Sequence, residues 1–281
     1  MAPNPPELSP EAALAWQLEM GADEVLDMEP TMPWEEITAP IAAALKAEAP
    51  PARAPHAAAN ADPTGSVAAR ATVPSASVAE AMAEATELAR KANSLAELEE
   101  AVRSFNGCAL KKTATHTVFA QGVPESGLMF IGEAPGADED RQGVPFCGVS
   151  GQLLDRMLGF IGLNRRENFY ITNALFWRPP GNRKPTPEEL MICRPFVEKH
   201  IALVKPRLLV LVGGTATQAI LGDTRGITRL RGQIFSYKNK LMEAEIPVHV
   251  MYHPSYLLRQ PIAKKQSWAD LLQLKAAIAR G

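Results

Sequence analysis

Three stretches of the chain hold the residue types best suited to chemistry. The first is GEAPGADEDRQGVPFCG, Gly132 to Gly148, directly after the apolar run LMFI. A Gly-rich loop that leaves a strand and enters a helix suggests phosphate binding. This loop fits neither G-x-x-x-x-G-K-[ST] nor G-x-G-x-x-G, and its carboxylates would repel phosphate. It reads instead as a wall for a neutral polar ligand, built from backbone amides, carboxylates and the ring of Phe146. The second stretch is FYITN, ending on Asn173. An Asn at the end of a buried strand sets a donor beside an acceptor, which matches the edge of an amide or a pyrimidine. The plainer reading is an Asn that caps the next turn. The third is YHPSYLLR, Tyr252 to Arg259. A His at a strand end can stabilise negative charge gathering on a leaving group. Ser255 can bond a backbone phosphate. Leu257 and Leu258 beside Arg259 have the make-up of an apolar wedge that opens a DNA step. Alternatively, the two leucines pack beneath the loop.

These stretches need a scaffold that brings them together. Strand-like runs occur at 128–132, 169–173, 208–213 and 248–252, and helix-like runs at 151–162, 187–204, 215–221 and 267–280. Short apolar strands alternating with helices predict an α/β domain with a parallel sheet covered on both faces. Ligands of such sheets bind beyond the carboxyl ends of the strands. That rule places GEAPG, Asn173, Gly213–Gly214 and HPSYLLR on one rim.

The rest of the chain divides by composition. Residues 1–30 form an acidic segment in which 10–27 fit a short amphipathic helix, with Trp16, Met20, Val25 and Leu26 on one face. Residues 31–76 are rich in Ala and Pro and too poor in large apolar groups to offset ordering entropy, so a flexible linker is expected. Residues 77–105 read as a helical lead-in, in which Ser77–Glu80 and Ser94–Glu97 both fit a capping box. The compact domain is expected over 106–281.

The net charge of −2 hides a split: residues 1–105 carry 6 basic and 17 acidic side chains, and residues 106–281 carry 23 and 14. A basic body points toward a polyanionic partner. The acidic arm fits either a protein partner or a mimic of DNA folded onto that body. No apolar run is long enough for a membrane span, and the N-terminus lacks the pattern of a signal peptide. Three scattered cysteines, Cys108, Cys147 and Cys193, make no disulfide framework. A reducing cytoplasm is therefore the expected compartment.

Taken together and in this order, GEAPGADEDRQGVPFCGVSGQLLD, YITNALFWRPPGNRKPTPEE and HPSYLLR resemble the uracil-DNA glycosylase superfamily, and family 4 within it, over roughly residues 105–280. The resemblance implies a three-layer α/β/α sandwich with a short central parallel sheet. It implies hydrolysis of the N-glycosidic bond of uracil in DNA after the base is flipped out of the stack. Phe146 would stack on the base, Asn173 would read its edge, and His253 would stabilise charge on the departing uracil. Glu133 and Glu139 are the acids near the water and pocket, and Ala134 and Asn182 hold further pocket positions. Ser255, Leu257, Leu258 and Arg259 would face DNA, single- or double-stranded. No rim motif supplies a lysine for a Schiff base, so a monofunctional enzyme that leaves an abasic site is expected; it is also expected to be a monomer. Two other readings stay open: a glycosylase of wider range that takes hypoxanthine or xanthine, and a module that binds lesions without turnover.

The chain departs from the family at one point. The resemblance implies four cysteines that hold a 4Fe–4S cluster. Here Phe105 and Trp177 stand at two of those positions, and only Cys108 and Cys193 remain. Two cysteines cannot supply four-thiolate ligation, so no cluster and no other metal is expected, and the two rings are expected to fill the space.

Overall fold

The computed structural model describes residues 75–279. The expectations for residues 1–30, and for all of the linker but its last two residues, lie outside them. The chain first forms α1 (Ala76–Lys91) and α2 (Leu95–Ser104), then β1 (Ala120–Gly122), β2 (Leu128–Gly132), α3 (Ala137–Gln142), α4 (Val149–Gly159) and β3 (Tyr170–Asn173). It continues through α5 (Pro187–Val204), β4 (Leu208–Val212), α6 (Gly214–Leu221), α7 (Ile227–Leu230), β5 (Ile234–Tyr237), β6 (Ile246–Met251), α8 (Pro254–Arg259) and α9 (Lys264–Ile278).

One sheet runs in the order β1-β3-β2-β4-β6-β5. Its four central strands are parallel, and β1 and β5 are antiparallel edges. The two middle strands, β2 and β4, are apolar and buried along their length, as expected for strands covered on both faces. Side chains alternate across the sheet. Met129, Ile131, Leu209, Leu211, Val248 and Val250 point into a core shared with α1, α2 and α5. The intervening residues, such as Phe130 and Val210, point to the other side, where α9 meets β6. The result is an α/β/α sandwich. No helix among the described residues is long and apolar enough to cross a membrane.

Local chemistry explains the element ends. Thr186 accepts from the amide of Glu189 at 3.2 Å, and the Glu189 carboxylate returns a bond to the amide of Thr186 at 2.8 Å. With Pro187 at the first helical position, this capping box starts α5 where the sequence places it. Ser94 caps α2 through the amide of Glu97. The other expected box is corrected: α1 begins at Ala76, its cap residue is Ser75, and Ser77 lies inside the helix.

The path of the chain also creates the site. From β2 it crosses to β3 on one side and then returns to β4 on the other. The loops leaving the carboxyl ends of these strands diverge, and a crevice opens there.

Candidate active site

Two cavities of about 420 Å³ each open on that rim and share Glu133, Ala134, His253, Ser255 and Arg259. The first also holds Phe146, Asn173 and Asn182. The second extends past Gly213 and Gly214, with Lys184 and Arg225 on its walls. The rim expected from the strand ends is therefore one continuous crevice.

At the carboxyl end of β3, Asn173 is 2% exposed and its Oδ1 has no hydrogen-bond partner. A buried acceptor left unpaired costs about 1–3 kcal/mol. Such a vacancy is a place for a ligand's N–H. Gly132 makes room for it, because a Cβ there would stand 2.5 Å from Asn173 Oδ1 and 2.4 Å from the Phe146 ring. Phe146 is buried, and its ring centroid lies 5.7 Å from that of His253. Its backbone has φ 53°, a left-handed conformation that a bulky residue rarely adopts. Asn182, with φ 54°, is exposed at the mouth and accepts from Arg178 Nε at 2.7 Å.

His253 caps α8. Its Nδ1 accepts from the amide of Ser255 at 3.2 Å, and Ser255 Oγ lies 2.8 Å away. An Nδ1 that accepts leaves the hydrogen of the neutral ring on Nε2. Burial, and after it the charge of Arg259, lower the His253 pKa to about 4. At neutral pH the crevice therefore holds a neutral imidazole whose Nε2–H is a donor.

The acids separate into two kinds. Both oxygens of Glu139 accept backbone bonds, from Gly136 at 3.1 Å and Gly148 at 2.9 Å. This carboxylate ties together the ends of the loop that carries Phe146, and it also lines the first cavity. Glu133 lines both cavities and makes no side-chain hydrogen bond among the described residues. It is the carboxylate left free to act on a ligand or a water.

The HPSYLLR segment is a helix, not a loop, and this changes the reading of its leucines. Leu257 is fully buried and cannot reach DNA, whereas Leu258 is 43% exposed. Neighbouring helical residues point about 100° apart, and here the turn carries Leu257 into the core while Leu258 stays at the surface. Ser255 spends its hydroxyl on His253. Arg259 is exposed on both cavities. Sequence reasoning missed Val149, which is 61% exposed at the mouth of the first cavity. It also missed Arg183, on the same wall and paired with Glu189 at 2.6 Å. Cys147 is half-buried, and burial followed by the charge of Glu139 pushes its thiol up.

A different cluster occupies the region of the four family cysteine positions. Phe105, Cys108, Trp177 and Cys193 are all buried. The Phe105 ring sits 6.3 Å from Trp177 and 5.2 Å, edge-on, from Phe196. The indole N–H of Trp177 donates to Thr117 Oγ1 at 3.0 Å. A hydrogen bond to Cys108, together with burial, pushes the Cys193 thiol well above its ordinary range. The donor set offers two sulfurs between packed rings, which does not fit a four-thiolate cluster. Among the described residues, no group of three or more His, Cys, Asp or Glu is placed to hold a metal ion.

The family model of the uracil DNA glycosylase superfamily matches residues 119–272. The chain is similar to the type-4 uracil-DNA glycosylase of Archaeoglobus fulgidus, 36% identical over 185 residues, covering 64% of this chain and 92% of that protein. The type-4 uracil-DNA glycosylase of Sulfurisphaera tokodaii is 37% identical over 187 residues, covering 65% of this chain and 84% of its own. That of Thermotoga maritima is 37% identical over 163 residues, covering 58% and 82%.

Proposed function

The chain belongs to the uracil DNA glycosylase superfamily, and on that premise we propose that it is a DNA-repair enzyme that releases uracil from DNA by base flipping and leaves an abasic site. The observation that carries this reading is the unpaired, buried Oδ1 of Asn173. Uracil presents N3–H beside O4, a donor next to an acceptor, and the amide of Asn173 complements both. The ring of Phe146 gives the base a face to stack on. Extrusion costs a few kcal/mol and least where the base is mispaired, as uracil is opposite guanine.

As the glycosidic bond lengthens, negative charge gathers on the uracil oxygens and positive character on the sugar. The neutral His253, with its Nε2–H already fixed by the cap on Nδ1, donates to O2 and holds that charge. The carboxylate of Glu133 faces the positive sugar and orients the attacking water. Glu139 serves by holding the loop. No lysine lines the cavity that contains Asn173 and Phe146, which favours simple hydrolysis over a Schiff-base route. Arg259 and Leu258 would meet the backbone and the vacated step of DNA.

We also propose that the enzyme works without an iron–sulfur cluster, its place being taken by the packed rings of Phe105 and Trp177. The arm before residue 75 carries most of the acidic excess and is proposed to meet a protein partner or the basic body itself.

A direct test uses an oligonucleotide with one uracil, single-stranded or paired with G or A. Alkali-dependent cleavage is expected, and an Asn173→Ala/His253→Ala double variant should abolish it. Replacing uracil by 3-methyluracil removes the N3–H and should cut release by about 100-fold, in line with the loss of one buried charge-assisted or specificity bond. Equal release of both bases would refute the role of Asn173. Release of hypoxanthine at the rate of uracil would assign the wider range.

A further inference from the structure

Phe146 combines two features that do not hold themselves in place. Its backbone is left-handed, a conformation unfavourable for any residue but glycine. Its ring also forms a wall of the crevice. Something must hold the peptide in that conformation, and the Glu139 staple reaches only Gly136 and Gly148.

The holding group is Arg165, from the polar loop between α4 and β3. Its side chain is only 11% exposed. Nη1 donates to the carbonyl of Pro145 at 2.9 Å and to Gln121 Oε1 at 2.7 Å. Nη2 donates to the carbonyl of Phe146 at 2.9 Å and to Asp155 Oδ1 at 2.8 Å. Nε donates to the same Asp155 oxygen at 3.0 Å. A guanidinium has five N–H donors in a rigid fork, and all five are used. Two go to consecutive carbonyls of the loop, and the other three anchor the fork to α4 and β1. The same peptide also lies against Gly151 of α4, where a Cβ would stand 1.8 Å from the Phe146 carbonyl oxygen. The peptide is thus gripped between α4 and a guanidinium.

We infer that Arg165 is a positioning residue for base excision: by holding the Pro145 and Phe146 carbonyls it keeps the Phe146 ring at the face of the flipped base, and it acts only through that ring. This inference rests on the proposed glycosylase activity for its kinetic consequence, but not for its mechanical one. Lysine cannot replace the fork, because one ammonium cannot span two carbonyls, Gln121 and Asp155 at once.

The experiment uses the full chain and the variants Arg165→Met, Arg165→Lys, Phe146→Ala and Phe146→Ala/Arg165→Met. Single-turnover uracil release is measured beside hydrogen exchange of the backbone. Arg165→Met is expected to slow release by about 30-fold with DNA affinity within about twofold, and Arg165→Lys to recover little of it. In the Phe146→Ala background the same substitution should change the rate by less than about threefold, because groups that act as one unit are not additive. Exchange should quicken by at least about tenfold at residues 144–150 and stay unchanged in α1 and α5. A full 30-fold loss in both backgrounds would overturn the inference, since Arg165 would then act elsewhere. Unchanged exchange at 144–150 would overturn it too. If the unsubstituted protein released no uracil while Arg165→Met still loosened 144–150, the glycosylase reading would fail and the clamp would stand.

Discussion

The aromatic plug around Phe105 and Trp177 and the crevice around Asn173 lie at two ends of one stretch, Asn173 to Trp177, yet they are built on opposite terms. In the plug, rings meet rings, the indole N–H has its hydroxyl, and the two thiols bond each other. In the crevice, a buried carbonyl lacks a partner, a carboxylate stands free, and an aromatic residue holds an unfavourable φ. Satisfied groups and tight packing stabilise a fold, whereas unsatisfied groups and local strain are what a ligand can relieve. Substitution should therefore cost stability in the plug and activity in the crevice.

The largest effect is expected in the plug. Trp177→Ala should cost about 3–5 kcal/mol of unfolding free energy, readable in urea. A loss below about 1 kcal/mol would mean that the rings do not carry the packing assigned to them. In the crevice, His253→Ala should slow uracil release by about 10²–10³-fold, the usual loss for one donor to a developing anion, while costing only about 1 kcal/mol of stability for the lost cap of α8. A variant that unfolds instead would erase the contrast between the regions.

The histidines sharpen the comparison through pH. Burial lowers His200 to about 3, and lowers His249 and His253 to about 4. Each folded value lies below the unfolded value of about 6.5. Between the two, the unfolded chain binds the proton and the native one does not, so stability rises with pH across that window. It is complete above about pH 6.5 and is lost progressively as pH falls toward 4. Uracil release, by contrast, should show no acid limb near 6.5, because His253 stays neutral down to about 4. A rate that halves at pH 6.5 would contradict the neutral imidazole. The smallest effect belongs to the surface: Ser94→Ala, which removes a helix cap far from both regions, should cost about 1 kcal/mol and leave release unchanged.

Much of this arrangement was legible in the sequence where the signal is local. The bounds of α5 follow from Thr186, Pro187 and Glu189, and the four parallel strands from their apolar runs. The edge strands β1 and β5 were not read, because three or four residues with partly exposed side chains make no periodic signal. HPSYLLR reads as a loop until Pro254 is recognised as the first residue of a helix that His253 caps. That error let Leu257 pass as a surface wedge when the helical turn buries it. The two amides that Glu139 accepts from were not legible either, because a carboxylate in a pocket motif carries no mark of them. Arg165 was silent for a similar reason: its partners lie 10 to 44 residues away, and only the fold brings them to one guanidinium.

Uracil release by a protein whose plug is made of rings can be checked in one preparation of the full chain, by measuring base release and iron content together on an oligonucleotide with a single U·G pair. Alkali-dependent cleavage at the uracil is expected, with far less than one iron per chain. Release that requires iron, or no release from protein that is folded by hydrogen exchange, would contradict that expectation.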